Sequence, residues 1–374
     1  MNDRFDVAVV GAGIVGLGAA YAAARRGLRV VVVDRCAEPS GASIRNFGHL
    51  CIGAQQGAAR VYADASRELW LRLARDAGFW VRESGTLVVA RHADEQELLV
   101  AAAEGGGIRL LDRARLERAL PVRGAVGGAH VEPDLQTDPR AATAAIRAHL
   151  AGLGVEMRLR TAAGSVRTGR LETTRGAIDA ETIVVCVNHD LDQLLPDLAE
   201  SEQLVRCGLD MLRVRAAGVS LPAPVLTGWS LVRYGRFAVL PQADALRARL
   251  REDRPDLAEL DLNQMYTQLP DGSILVGDTH VRGQAIPPFQ PESAARLLLA
   301  EFEALFGVAP RVVERWQGLY ASGPDDVLVA EPEPGVHVIA ATTGIGMTCG
   351  LGLAETTLAP LLGTVAEPTP KGTP

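Results

Sequence analysis

The sequence predicts a mixed α/β fold of two domains: a parallel-sheet domain assembled from discontinuous segments, with an antiparallel-sheet domain inserted into it. Three observations carry this. A β-α-β pattern opens the chain, α/β material returns near 138–187 and at the C-terminal end, and two stretches between them look antiparallel. At 374 residues the chain is long enough for two domains. The expected boundaries are 1–80, 131–208 and 311–366 for the first domain, and 81–130 and 209–310 for the second. A Pro/Thr-rich tail, 367–374, is expected to be flexible.

Residues 5–10 are short and β-branched and end at Gly11, as a buried strand does. Residues 14–26 are small and helical, stopped by Gly27, and 29–33 form a second buried strand ended by Asp34. An amphipathic pattern at 65–77 turns Trp70 and Leu73 inward. Strand and turn material fills 81–90, and short helices are expected at 94–103 and 115–120. Asp138 and Pro139 start a helix that runs to 153 and stops at Gly154. Strands at 155–160, 165–168 and 183–187 follow. Residues 209–278 read as strand-rich, with one helix near 243–251. A helix at 291–305, a strand at 335–341 and a glycine-rich helix start at 343–352 close the chain.

Composition excludes several function classes. Hydrophobic residues make up 48% and charged residues 22%, which suits a folded chain with a sizeable core. The net charge is −7 and no basic stretch is interleaved with aromatics, so neither nucleic acid nor an anionic membrane surface is an expected partner. Of 38 basic residues a single one, Lys371, is lysine. Schiff-base chemistry and a P-loop lysine are therefore excluded from the core. Five cysteines without C-x-x-C spacing disfavour a disulfide framework or structural zinc, and no metal is expected. With no basic leader at the first residues, a cytoplasmic location is the expectation. The uncharged run at 7–24 is broken by four glycines, which argues against a membrane span.

Gly11-Ala-Gly13-Ile14-Val15-Gly16 lies between the first strand and helix. The first glycine permits the tight turn, the second lets a pyrophosphate approach the backbone, and the third lets helix and strand pack closely. The phosphates would meet the N–H groups at the helix N-terminus. Asp34 follows the last glycine by 18 residues, the place of the acid that binds a ribose hydroxyl pair. This is a Rossmann-like dinucleotide signature. Asp34 argues against a 2′-phosphate, although Arg35 beside it blurs that inference.

Beyond Asp34 the chain enters Gly41-Ala42-Ser43-Ile44-Arg45-Asn46-Phe47-Gly48-His49-Leu50. Here the sequence resembles the D-amino-acid oxidase superfamily of FAD-dependent amine oxidoreductases, which includes glycine oxidase and sarcosine oxidase. The resemblance covers nearly the whole chain. It extends to Glu132 through Pro139, the stretch Cys207 to Arg213, Asp271 through Thr279, and the closing motif from Gly318 through Gly350. It implies an FAD-binding domain of glutathione-reductase type. Ala42, Ser43, Arg45, Asn46, Gly48 and His49 would run along the cofactor, Val166 would contact the adenine, and Gly344, Ile345, Gly346, Met347 and Thr348 would face the flavin.

The departures from that family bear on substrate. Gly318 stands where covalently flavinylated relatives carry cysteine, so non-covalent FAD is expected. Tyr320, Met347 and Thr348 occupy the places of usual carboxylate anchors, and Leu275 that of an oxygen-activating lysine. Asn188-His189 replaces the usual small ending of its strand. The resemblance implies oxidation of a small amine bearing an acidic group, an amino acid or an aminophosphonate, by hydride transfer to flavin N5. The resulting imine hydrolyses to an aldehyde or keto product, and O2 is the expected acceptor. The alternatives are a dehydrogenase with another acceptor, or a flavin-binding subunit or sensor without turnover. His49, His280 and Tyr320 are the candidate catalytic residues, the two histidines first because histidine titrates near neutral pH, and Tyr320 as a candidate pocket wall. Arg45, Arg282, Trp229 and Tyr266 are the candidate substrate contacts. The amine and the oligomeric state are left open.

Overall fold

The computed structural model describes residues 4–365; the expected tail at 367–374 lies outside them. The opening unit consists of β1 (Arg4–Val10), α1 (Ile14–Ala24) and β2 (Val30–Asp34). Five strands pair in parallel, in the spatial order Glu156–Leu159, β2, β1, Gly176–Val185, Val336–Thr343. Along β1, Val7 and Val9 enter one core while Ala8 and Val10 enter another on the opposite face. Burial on both faces is why the strand's second half, residues 7–10, reads as an unbroken apolar run.

Nine of the eleven residues of α1 are buried, most of them small. Small side chains allow a close neighbour: a Cβ on Gly18 would lie 3.2 Å from the Leu351 Cα of helix Gly346–Leu362. That helix also packs on Gly57–Ala77, where a Cβ on Gly352 would lie 2.1 Å from the Tyr62 carbonyl oxygen. The C-terminal helix therefore lies beside both helices, and its N-terminus is held against the opening unit.

The antiparallel part is continuous with the parallel one. Strand Arg311–Glu333, 23 residues long, pairs through its first half with Val205–Arg215 and through its second half with Val336–Thr343. Beyond Val205–Arg215 come Ile274–Gly277, Met265–Gln268, Val225–Leu226 and the hairpin region Thr86–Ala90, Gly127–Val131 and Ile108–Asp112. Among the described residues, no helix is long and apolar enough to cross a membrane.

Two expectations change. Residues 228–238 and 255–259 carry the short helices Gly228–Leu231, Gly235–Ala238 and Pro255–Glu259, where strand was expected, while the helix expected near 243–251 is present as Gln242–Asp253. Helices of four or five residues are too short to show a 3.6-residue period. The helix expected from 65 begins at Gly57 behind Gln56, whose side chain makes no cap, so no capping signal marks its start.

Candidate active site

The glycine turn sits at the carboxyl ends of β1 and β2, where ligands bind in open parallel sheets. Gly11 has φ +105°, and its N–H donates to the Val33 carbonyl at 2.8 Å. A Cβ on Gly16 would lie 1.9 Å from the Gly11 oxygen, so this glycine lets the helix close onto the strand. Asp34 Oδ2 accepts the Ala12 N–H at 2.7 Å and Oδ1 the Cys36 N–H at 2.7 Å, which fixes the carboxylate at the strand end. Ser43 reaches across to accept the Ile14 N–H at 2.8 Å. Around these groups lies a cavity of about 280 Å³ lined by Gly11, Gly13, Ile14, Val15, Asp34, Arg35, Ala42 and Ser43, among others.

This cavity suits FAD. Gly13 lines it where a Cβ would meet only Ser43 Oγ, at 3.2 Å, so the backbone is bare on the cavity side. The first turn of α1 carries no acidic residue, leaving its positive end to an anion. Arg35 is paired with Asp190 at 2.7 Å, so its guanidinium already has a carboxylate partner. Val166, the residue expected at the adenine, does not line this cavity. Its side chain is buried in the core with Leu171 and Ile178, and Thr161, Ala162 and Ala163 line the cavity instead. Gly16 serves packing and does not line the cavity.

A second cavity, of about 600 Å³, adjoins the first and shares Ala42, Ser43 and Asn188 with it. Asn188, at a departure from the family pattern, ties the junction: its Oδ1 accepts the Ala321 N–H at 2.7 Å and its Nδ2 donates to the Ala341 carbonyl. The structure brings Arg45, Asn46, Trp229, His280, Arg282, Tyr320, Gly344, Ile345, Gly346 and Met347 to the lining of this cavity. Gly344 has φ +81°, and a Cβ there would lie 3.2 Å from the Tyr320 hydroxyl.

One wall is a network of charged groups. Asp261 receives Arg233 Nη1 and, at 2.6 Å, Arg282 Nη1. Burial alone would raise Asp261, but Arg233 and the Arg282 hydrogen bond hold its carboxyl below the usual range. His280 Nδ1 lies 2.9 Å from the Asp261 carbonyl oxygen. A carbonyl only accepts, so Nδ1 carries the proton and Nε2 is left with its lone pair, 3.6 Å from Asp278 Oδ2. Burial, then Arg233, push the His280 imidazole down to about 3. Burial pushes Asp278 up to about 7 against the pull of Arg233. Asn263 Nδ2 donates to Asp278 Oδ1 at 3.0 Å, and Ser230 in turn donates to Asn263 Oδ1 at 2.7 Å. Burial also raises Tyr320, keeping its phenol protonated.

Besides Val166 and Gly16, four expected site residues stand elsewhere. His49 is buried away from the cavity lining, with Nε2 2.6 Å from the Thr86 hydroxyl and Nδ1 3.1 Å from Met265 Sδ. Met265 is the residue between it and the cavity. Tyr266 faces the opposite way, edge-on to Phe302 and Phe306, with Gln264 donating to its hydroxyl at 2.9 Å. The strand alternates, so Met265 takes the cavity side and Tyr266 the core. Gly48, at φ +64°, is needed where a Cβ would lie 2.0 Å from the Thr137 carbonyl oxygen. Thr348 Oγ1 accepts the Cys51 N–H at 3.0 Å below the cavity. Close by, His49, Cys51 and Asp134 bring possible ligand atoms within 4.8 Å of one another. Both Asp134 oxygens are engaged, by the Gly53 N–H at 2.6 Å and the Thr86 hydroxyl at 2.7 Å.

Asp261, Asp278, Asn263 and Met265 were not singled out from the sequence. The Asp278-Thr279-His280 run beside a glycine-ended strand was the available signal for Asp278. The other three sit in segments with no motif.

The fold is shared with solved enzymes. Glycine oxidase from Geobacillus kaustophilus aligns with a TM-score of 0.77 at 21% identity, covering 96% of this chain and 94% of that one. Iminodiacetate oxidase from Chelativorans sp. BNC1 gives 0.74 at 19% identity over 97% of each chain. L-alpha-glycerophosphate oxidase from Mycoplasma pneumoniae, solved with FAD bound, gives 0.75 at 17% identity, covering 98% of this chain and 97% of that one. A search of curated protein sequences gave no match. The family described as FAD dependent oxidoreductase, DAO, matches residues 6–359, and the chain belongs to that family of FAD-dependent oxidoreductases.

Proposed function

We propose that the protein oxidises a small amine bearing an acidic group, with FAD held non-covalently. The carrying observation is the charge of the broad cavity. Arg45, Arg233, Arg247, Arg251 and Arg282 line it against Asp261, Asp278 and Asp326. Asp261 is committed to two of the arginines, and Asp278 is raised to about 7, so the cavity favours an anion. Several guanidiniums around one space suit a dianion, and an aminophosphonate such as 2-aminoethylphosphonate is the specific expectation.

FAD, when bound, supplies a two-electron acceptor that takes hydride from the carbon next to nitrogen. The chain positions that carbon and keeps water away from it. Trp229 and Tyr320 are apolar walls with polar edges, and Arg45, whose guanidinium donates to the Gln317 carbonyl at 3.2 Å and has no carboxylate partner among the described residues, is placed to grip the acidic group. His280 stays neutral and offers Nε2 as an acceptor. The imine product then takes up water to give a carbonyl compound and ammonia or an amine. Position 318 is glycine, so it has no thiol to tether the flavin, and a Cβ there would need the Leu209 side chain to move, which supports non-covalent binding. Denaturation should therefore release the flavin, and a flavin that stays with the precipitated chain would rule the tether-free reading out.

The amine reading is tested by anaerobic reduction with 2-aminoethylphosphonate, glycine and sarcosine, followed by air. Bleaching then rapid recolouring marks an oxidase using O2. Bleaching with slow recolouring marks a dehydrogenase with another acceptor, a reading favoured by Leu275 and the lysine-free described chain. No bleaching by any amine sinks the proposal and leaves a flavin-binding subunit or sensor, or a non-amine substrate.

A further inference from the structure

Resting on the amine reading, we propose that Asp278 is the group that takes the proton from the substrate's ammonium, with Asn263 and His280 as its positioning residues. Only a free amine has the lone pair that drives hydride loss, and a small amine arrives mostly as ammonium at neutral pH. The acceptor must face the cavity, be fixed in place, and be free to hold a proton.

Asp278 meets these conditions by geometry. It lines the cavity, and only 5% of it is exposed. The Asn263 side chain holds Oδ1, and paired backbone hydrogen bonds between Asn263 and Asp278, at 2.8 and 2.7 Å, fix the two residues to each other. Oδ2 accepts no protein hydrogen bond among the described residues, and its neighbour is the unprotonated Nε2 of His280 at 3.6 Å. An incoming ammonium therefore finds an open carboxylate oxygen. After transfer, the new O–H has a nitrogen lone pair to face.

The other candidates fail on position or charge. His280 is disfavoured as an imidazolium by burial and by Arg233. Asp261 is neutralised by its two arginines, and Asp326 is exposed and bonded to Thr343. The titratable and charged groups around Asp278 are Arg233, Asp261, His280, Tyr234, Tyr320 and Cys207. Arg233 favours its ionised form and burial opposes it, leaving the carboxyl near neutrality.

In the step itself one N–H bond of the ammonium breaks and one O–H bond forms at Oδ2. A cation and an anion become a neutral amine and a neutral acid, and no electrons move. The two-electron oxidation follows as proposed above.

The test uses the FAD-loaded enzyme and its Asp278→Asn and Asp278→Glu variants. Anaerobic flavin reduction by 2-aminoethylphosphonate and by glycine is followed from about pH 6 to about pH 10, alongside an infrared titration of carboxyl groups. Asp278→Asn should keep its flavin and lose roughly 10²–10⁴ fold in reduction rate near neutrality. Its rate should recover as pH approaches the ionisation of the free amine, because deprotonated substrate then comes from solution. Asp278→Glu should restore part of the rate at pH 7. A protonated-carboxyl band should fade through about pH 7 in the wild type and be missing in Asp278→Asn. A wild-type rate and pH profile in Asp278→Asn would overturn the proposal while leaving the amine reading intact. If no amine reduces the wild type, the amine reading fails and the proton acceptor falls with it.

Discussion

The narrow cavity and the broad one meet at Ala42, Ser43 and Asn188, yet they are built by different means. The narrow one is mostly backbone: a glycine turn, a helix start and one carboxylate, drawn largely from a single β-α-β unit. The broad one is mostly side chains, with Arg233, Asp261, Asp278 and His280 brought together from separate segments around the antiparallel strands. The first tolerates no added Cβ where backbone meets backbone. The second tolerates side-chain change but depends on the balance of buried charge. A backbone-built site should lose its ligand, and its fold as well where backbone meets backbone, whereas a side-chain-built site should lose rate first.

The largest effect should come from Gly16→Val. Its Cβ would overlap the Gly11 carbonyl, which cannot move without opening the turn. Flavin content should fall close to zero and the melting temperature should drop. Gly13→Ala sharpens the contrast. It meets only the Ser43 hydroxyl at 3.2 Å, so the fold should survive while FAD affinity falls about tenfold or more by steric conflict with the pyrophosphate. Full flavin content in Gly16→Val would break the comparison.

Next in size is His49→Ala. It leaves the buried Thr86–Asp134 pair without its ring partner and should cost roughly 2–4 kcal/mol of stability, read by denaturant unfolding. Per bound flavin, its amine-driven reduction should keep the wild-type pH dependence. A lost pH dependence at full occupancy would return His49 to the site.

Asp278→Asn should show a smaller, pH-dependent effect on stability. The folded carboxyl is raised to about 7, above its unfolded value, so its contribution is fully present in acid and is lost as pH rises through about 7. The asparagine variant should gain on the wild type by about 2 kcal/mol between pH 5 and 8, measured by unfolding at each pH. A constant difference across that range would mean the carboxyl is not raised.

The smallest effect belongs to Tyr266→Phe, which loses the Gln264 donor contact and should cost about 1 kcal/mol. Because its ring lies in the core with Phe302 and Phe306, amine KM should not change. A large KM change would place Tyr266 in the cavity after all.

The sequence by itself determined the opening β-α-β unit, the glycine turn, Asp34 and the helix start at Gly344 and Gly346. These features rest on local backbone demands: positive φ and close backbone approach select glycine, and strands buried on both faces select runs of valine. Such demands act over a few residues, so they survive as a pattern. Tertiary structure alone decided which side chains face the broad cavity. Strand parity put Met265 inward and Tyr266 outward, and the turn of the segment at 41–50 sent His49 behind Met265. It also made the site's electrostatics. Asp278 and Asp261 are the same residue type, seventeen positions apart, yet burial raises one while two arginines hold the other down. A carboxyl's proton affinity depends on what surrounds it in space, and neighbours such as Arg233 and Arg282 reach these two aspartates only once the chain has folded.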